Sequence, residues 1–210
     1  MRRLLALAAL CLALPGAASE VHTWKFRVLL DNREIGEHDF TLRAAGDDRE
    51  LTSEARFDVR LLFVIAYRYR HQAVERWDGN CLRSLVARTE TNGETLAVNA
   101  RTRDGRLFVE RPDVPDVPEV HEGCVMSFAY WNPAILKAQR LLNSQTGEVL
   151  PVTVLSRGEE TVRVGGQVLP ARRYRIDAPQ LQIDLWYAGD RWVALEAPAA
   201  GGRHLRYELM

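Results

Sequence analysis

The longest regular pattern in the chain is an alternation of apolar and polar residues between Leu51 and Trp77. Apolar residues fall on odd positions, which are Leu51, Ala55, Phe57, Val59, Leu61, Phe63, Ile65, Tyr67 and Tyr69. A period of two is typical of a β-strand with one buried face. One strand of this length would span about 90 Å at ~3.3 Å per residue, which is more than a domain of this size can hold. The run must therefore divide, and we expect the break between Arg60 and Val64, where both faces become apolar.

Shorter alternating segments precede and follow this run. Even positions from Trp24 to Leu30 form an apolar face, a polar turn follows at 31–34, and the alternation resumes at His38, which predicts a hairpin. Further strands are predicted at 82–90, 95–103, 107–110, 149–155, 160–164, 167–177, 180–187, 191–196 and 204–209. Turn residues separate most of them, including Arg157-Gly158, and 111–119 carries three prolines and is predicted to be a surface loop. Strands at this short spacing predict one antiparallel all-β domain over residues 20–210.

One short α-helix is predicted near residues 132–143. The Asn132 side chain can cap the first free N–H groups, and Pro133 then occupies the first helical position, where a missing N–H has no consequence. Apolar residues recur at helical spacing up to Leu142. A helix of about three turns is too short to be stable alone, so it must dock on the sheet.

The N-terminus has the three parts of a secretory signal peptide. Two arginines precede an apolar run over residues 4–14, and Ala17-Ala18-Ser19 offers small residues for cleavage. The run is too short to span a membrane, and no other apolar stretch approaches that length. We therefore expect a signal peptide over residues 1–19, cleaved after Ser19, and a periplasmic or secreted protein without a transmembrane segment.

Charge and cysteine content refine this expectation. The chain has 28 basic and 28 acidic residues, and removal of the signal leaves a formal charge of −2. A near-neutral chain lacks the basic surface of a nucleic-acid-binding protein. Cys81 and Cys124 are the two cysteines outside the signal, and an even number in an oxidising compartment predicts a disulfide. Its loop closure is worth roughly 4 kcal/mol in the chain-entropy model.

Four short motifs in the second half carry a family resemblance. They are Tyr130-Trp131-Asn132-Pro133, Leu141-Leu142-Asn143, Leu169-Pro170-Ala171-Arg172 and Leu185-Trp186-Tyr187. On these motifs the chain resembles an uncharacterised family of exported bacterial proteins, a domain of unknown function, and it is similar to a second uncharacterised secreted family. The resemblance implies a curved antiparallel sheet or open half-barrel with the helix against its concave side. By analogy of fold alone, this shape is similar to periplasmic carriers of lipids and lipoproteins.

The sequence contains few signs of catalysis. No nucleophile elbow, zinc-protease motif, phosphate-binding loop or calcium loop is present. Ser127 lies close in sequence to His121, but such proximity is commonplace and gives only a weak indication of a hydrolase. His22 and His38 share the apolar phase of the first hairpin and are interpreted as core or rim residues, with a metal site as the alternative. Asp184 alternates with Gln182 and is predicted to face solvent.

The aromatic content indicates a different function. Six aromatic residues are candidates to line a pocket in the concave face: Tyr130, Trp131, Phe63, Tyr67, Tyr69 and Trp186. The alternative is that they only pack the core, as aromatic residues commonly do. The leading hypothesis is non-catalytic binding of an apolar ligand, a lipid or fatty acyl chain, without cofactor or metal. The second is a structural or assembly role at the cell envelope through protein contacts, and an enzyme is disfavoured.

Overall fold

The computed structural model describes residues 20–61, 64–112 and 118–210. The predicted signal peptide, Phe63 and residues 113–117 of the proline-rich segment lie outside these ranges. The described strands are β1 (Glu20–Leu30), β2 (Arg33–Ala45), β3 (Asp48–Leu61), β4 (Val64–Asp78), β5 (Cys81–Thr91), β6 (Glu94–Arg103), β7 (Arg106–Glu110), β8 (Glu119–Glu122), β9 (Met126–Ser127), β10 (Arg140–Leu142), β11 (Val149–Pro151), β12 (Thr153–Val164), β13 (Gln167–Ala178), β14 (Leu181–Ala188), β15 (Arg191–Ala199) and β16 (Arg203–Leu209).

Thirteen of these strands form one curved antiparallel sheet, in the order β12-β13-β14-β15-β16-β1-β2-β3-β4-β5-β6-β7-β8. The strands β1 and β16 pair in its middle, where Phe26 lies opposite Leu209. The tip of the β12–β13 hairpin folds back towards them, because the Gly165 N–H donates a hydrogen bond to the Leu209 carbonyl at 3.2 Å. This architecture confirms the predicted all-β fold with a curved antiparallel sheet. None of the described helices is both long and apolar enough to span a membrane.

The break in the long alternating run is confirmed. The strand β3 ends at Leu61 and β4 begins at Val64, and these two residues pair. The two strands present the same odd-numbered face to the core, so Phe57 stacks on Tyr69 with ring centroids 5.1 Å apart. The predicted turn at Arg157-Gly158 is wrong: β12 continues through it with a β-bulge, where Gly158 adopts a φ of 97°.

The predicted helix begins where expected but is not the three-turn α-helix expected for 132–143. It is a 3-10 helix of five residues, Pro133–Lys137, capped by the Asn132 side chain, which accepts a hydrogen bond from the Ala134 N–H at 3.1 Å. At Ala138 the backbone already has an extended conformation. Leu141 and Leu142 lie in β10, between β9 and β11. Strand pairing buries both leucines completely, and this tertiary packing outweighs the weak helical preference of a short segment.

The small sheet β9–β10–β11 and the 3-10 helix belong to one stretch, residues 125–152, that we call the covering segment because it lies over the inner, concave face of the large sheet. Trp131 packs edge-on against Trp77 of β4 at 5.6 Å, and Tyr130 packs against Trp192 of β15 at 5.3 Å. The predicted disulfide between Cys81 and Cys124 is present. It ties the start of β5 to the residue before this segment, next to a hydrogen bond from the Leu82 N–H to the Val125 carbonyl at 2.9 Å.

Candidate ligand pocket

A cavity of about 250 Å³ lies between the inner face of the sheet and the covering segment. Its apolar wall combines aromatic and aliphatic side chains, among them Phe40, Tyr69, Phe128, Tyr130, Trp131, Leu181, Ile183 and Leu195. Two surface clefts are larger, at about 560 and 760 Å³, but strand ends and charged side chains such as Arg43 and Arg60 line them. The inner cavity is therefore the candidate site, since enclosure by apolar side chains with a few polar groups is typical of ligand pockets.

Strand alternation places the polar groups of the cavity. Ser53 on β3 and His71 and Glu75 on β4 occupy the same odd phase as the core residues Phe57 and Trp77, so their side chains point inward. On β2 the inward phase is even and includes His38, which pairs with Ala55. The covering segment adds polar residues 143–145, of which Gln145 is exposed and marks the mouth.

His38 is the centre of one hydrogen-bonded group. Its Nε2 lies 2.7 Å from the Ser53 hydroxyl, and its Nδ1 lies 3.3 Å from the Tyr207 hydroxyl. The ring also stacks on Phe40 at 4.0 Å. Burial lowers the pKa of His38 well below its ordinary value of 6.5, and nearby His71 lowers it further. The imidazole is therefore neutral at neutral pH.

The distance between Ser53 and His38 is that of a nucleophile and its base in nucleophilic catalysis. The second nitrogen of His38 faces the Tyr207 hydroxyl, where a catalytic triad has a carboxylate that stabilises the imidazolium. The lowered pKa of His38 makes it a weak base. Both features disfavour nucleophilic catalysis and leave the pair as a polar part of the pocket wall.

His71 and Glu75 form the second polar group. The Nδ1 of His71 lies 2.9 Å from the Thr89 hydroxyl, and burial lowers the pKa of His71 to about 4. Glu75 is buried and accepts a hydrogen bond from the Trp77 indole N–H at 3.1 Å. Burial raises the pKa of Glu75 to about 7, although Ser127 and Trp77 partly oppose this shift. The Ser127 hydroxyl is close enough for that effect without making a hydrogen bond of ordinary geometry.

The cavity is consequently close to uncharged. Burial also raises the pKa values of Tyr69, Tyr130 and Tyr207, so these hydroxyls stay protonated. Among the described residues that line the cavity there is no lysine or arginine, and Glu75 is its one carboxyl group. Such a lining can accommodate apolar groups and uncharged polar atoms, whereas an unpaired charge would be costly to bury there.

The structure brings together three of the six aromatic residues predicted from the sequence to line a pocket. Tyr69, Tyr130 and Trp131 line the cavity. Tyr67 pairs with Val59 near the start of β4, is 36% exposed and lies outside the cavity lining. Phe63 is outside the described residues.

Trp186 is buried away from the cavity. Its indole N–H donates a hydrogen bond to Glu160 at 2.9 Å, and the Arg173 guanidinium lies 5.1 Å from its ring centroid. It alternates along β14 with Tyr187, whose hydroxyl reaches the covering segment, so Trp186 points to the opposite, outer face of the sheet.

Sequence reasoning missed Ser53, His71 and Glu75. Their signal was the phase of the alternation, since all three occupy odd positions of the run from Leu51 to Trp77.

The expectation that Asp184 faces solvent was wrong: it is only 7% exposed. It can be buried because Arg175 and Arg173 pair with it at 2.7 and 2.8 Å.

The sequence offered two weaker candidates, a metal site at His22 and His38 and a hydrolase pair of Ser127 and His121. Neither forms a site in the described part of the structure. His22 is exposed and lies opposite Leu42, whereas His38 lies opposite Phe26. No group of three or more His, Cys, Asp or Glu side chains suited to a metal ion occurs in the described part of the chain. Ser127 is buried near Glu75, and His121 lies in β8 opposite Leu107.

Comparison with known proteins supports the fold and identifies the family. The solved crystal structure of a beta-barrel-like protein of domain of unknown function DUF1849 from Brucella abortus is similar, with a TM-score of 0.66 over 90% of this chain and 95% of that chain. The two share 11% sequence identity, so this likeness concerns the fold alone. No curated protein matches the sequence. The model of one family, described as "Domain of unknown function (DUF6134)", matches residues 26–210, and the chain therefore belongs to this family.

Proposed function

We propose that this protein is a non-catalytic, exported binding protein that holds one apolar ligand, such as a fatty acyl chain, in the cavity beneath the covering segment. The observation that carries this proposal is the partly enclosed space of about 250 Å³ between two aromatic walls. A fully packed core has few voids larger than a water molecule, and this cavity is much larger.

The size of the cavity narrows the ligand class. Ligand pockets commonly measure about 300–1,000 Å³, and this cavity is slightly smaller. At about 30 Å³ for each water-sized group, it holds about eight heavy atoms. It therefore suits one short or single-chain apolar group, and a whole lipid with two acyl chains is too large.

An exported location is part of the proposal. A disulfide between Cys81 and Cys124 fits an oxidising compartment such as the periplasm. The predicted signal peptide over residues 1–19 supports the same location. Mass measurement of the protein from the periplasmic fraction, expected to begin at Glu20, tests the cleavage after Ser19.

The binding proposal is tested by native mass spectrometry of periplasmic protein, followed by organic extraction. A co-purifying apolar ligand is the expected result. Ala197 is half-buried and lines the cavity, so Ala197→Leu should occupy part of the cavity and weaken ligand retention. Ala188→Leu is the matched control, because Ala188 is also half-buried but lies away from the cavity. Equal ligand retention by both variants, with both folded, would exclude this cavity as the binding site.

A second candidate function is a structural or assembly role through protein contacts at the cell envelope. One observation favours it: Val74 and Val86 lie directly opposite each other on β4 and β5 and are 41% and 62% exposed. An exposed apolar pair on the outer face of a sheet is a possible contact for a partner. Under this alternative, Val86→Lys should impair envelope integrity in cells, whereas Ala197→Leu should leave it unchanged.

A further inference from the structure

We infer that the cavity selects ligands with an uncharged polar head group, such as an alcohol, an ester or an amide, and excludes free fatty acids. This inference rests on the proposed function and specifies the chemical class of the ligand. It follows from the placement of charge and of unused hydrogen-bonding groups around the cavity.

No described lysine or arginine offers a positive charge to a ligand in the cavity. Arginine is abundant in this chain, yet no described arginine or lysine lines the cavity. The guanidinium of Arg49 lies 5.6 Å from the ring centroid of Trp131, but Arg49 lines a surface cleft. Proteins commonly recognise a carboxylate or phosphate through a paired arginine or lysine. An anionic head group would therefore be buried without a partner, which is strongly unfavourable.

Glu75 is the one carboxyl group among the described residues that line the cavity. Glu75 is only 5% exposed, and its carboxyl group accepts a hydrogen bond from Trp77 within the protein. In its ionised form it would repel a fatty-acid carboxylate. In its protonated form it offers one O–H donor, which suits a hydroxyl or carbonyl oxygen of a ligand.

Two neutral side chains of the cavity lining have a polar atom without a hydrogen-bond partner among the described residues. The Nε2 of His71 has no hydrogen-bond partner in the described part of the chain, because Thr89 contacts only Nδ1. Trp131, which lines the cavity, has a buried indole N–H that is also unpaired within the described residues. Buried polar groups are rarely left unpaired. A ligand oxygen within the cavity would supply a partner for the His71 Nε2 without introducing a charge, whereas the Trp131 N–H has almost no accessible surface and lies out of its reach.

The histidines do not reverse this selectivity near neutral pH. His38 uses both ring nitrogens, towards Ser53 and Tyr207. The groups that face Glu75 and His71 across the cavity are Tyr130 from the covering segment and Tyr207 from β16. None of these carries a positive charge near pH 7, so none can compensate a bound carboxylate.

The test compares three probes of equal chain length, octanol, octanoate and octylamine, bound to the full exported chain after removal of co-purified material. Binding is measured by titration calorimetry at about pH 6, where octanoate is ionised but Glu75, with a pKa of about 7, keeps its proton. We expect octanol to bind at least tenfold more tightly than either charged probe. An octanoate affinity equal to or above that of octanol would overturn the inference. So would octylamine as the tightest probe, with this binding lost in Glu75→Gln, because the cavity would then be a cation site.

A change of charge in the wall gives a second readout. Leu205 also lines the cavity and is half-buried. Leu205→Lys introduces a cation there at similar side-chain volume, and Leu205→Met is the matched control without charge. We expect the lysine variant alone to gain at least tenfold in octanoate affinity, and an unchanged affinity in a folded variant would contradict the inference. Failure of all three probes to bind the native chain would reject the proposed function together with this inference. Tight octanoate binding would reject only the inference.

Discussion

The Tyr187 hydroxyl donates a hydrogen bond of 2.6 Å to the backbone carbonyl of Tyr130, joining two residues that are 57 positions apart in the chain. Tyr187 lies on β14 of the large sheet, and Tyr130 lies in the covering segment. This contact sets the distance between the covering segment and the inner face of the sheet. It therefore positions one wall of the cavity.

Tyr187→Phe should therefore lower the free energy of unfolding by about 1 kcal/mol, because it removes the donor of a hydrogen bond to a part-buried carbonyl. Urea denaturation measures the effect. Tyr67→Phe is the control, since Tyr67 is partly exposed and lies outside the cavity lining. Equal effects of the two substitutions would show that the Tyr187–Tyr130 hydrogen bond contributes little.

The disulfide between Cys81 and Cys124 should stabilise the fold measurably. It closes a loop with a sequence separation of 43 residues, for which the chain-entropy model gives about 4 kcal/mol. We expect the double variant Cys81→Ala/Cys124→Ala to lose stability of this order in urea denaturation. Addition of a reductant should destabilise the native chain and leave the double variant unchanged. If a reductant did not lower the stability of the native chain in urea denaturation, the disulfide would have no stabilising role.

Acid should destabilise the protein through His71. Its pKa is 6.5 in the unfolded chain and about 4 in the folded protein, so only the unfolded chain binds a proton between these values. The contribution of His71 is then complete above pH 6.5 and is lost as the pH drops towards 4, by about 1.4 kcal/mol for each pH unit. His38 acts in the same direction, since burial lowers its pKa as well.

His71→Asn should flatten this acid dependence, because asparagine keeps a polar atom near Thr89 but does not titrate. The measurement is the urea midpoint as a function of pH. His22→Asn is the control for the same substitution at an exposed histidine. A His71→Asn variant with the full acid slope of the native chain would show that folding does not lower the pKa of His71.

Glu75 should have the opposite effect. Burial raises its pKa from 4.5 to about 7 in the folded protein, so the folded state holds the proton more tightly than the unfolded state. The contribution of Glu75 is complete below pH 4.5 and is lost as the pH rises through about 7, with a total of about 3 kcal/mol. Glu75→Gln should remove this loss, so the stability difference between the variant and the native chain should grow in favour of the variant from about pH 5 to 8. A constant difference across this range would contradict the prediction.

The sequence predicted the strands better than it predicted the pocket, and the reasons are physical. The break near Leu61 could be located because both faces of the run become apolar there. The five-residue helix after Asn132 could not be distinguished from a longer one, because Leu141 and Leu142 have helical spacing but are held by β9 and β11. Their strand pairing is a tertiary effect that local propensity does not contain.

The pocket residues on β3 and β4 show a similar limit. The alternation already placed Ser53, His71 and Glu75 on the inner face, but it could not indicate that Thr89 and Trp77 would supply their hydrogen-bond partners. The orientation of Trp186 could have been read from the same rule, since it lies one position from Tyr187. The pairing partners that make its outer position favourable, Glu160 and Arg173, come from other strands.

Trp131 and Trp186 are equally buried, each 6% exposed. Replacing each of them distinguishes a role in packing from a role in ligand binding. Replacing either by alanine should lower stability by about 3–5 kcal/mol, because a large buried side chain is removed from the core. Only Trp131 lines the cavity, so only Trp131→Ala should also weaken octanol binding, measured by calorimetry on folded protein. If Trp131→Ala lost stability but kept the native affinity, Trp131 would belong to the packing of the covering segment, and the binding site would have to lie elsewhere. If Trp186→Ala weakened binding as much, the outer face of β14 would have to influence the cavity through the strand itself.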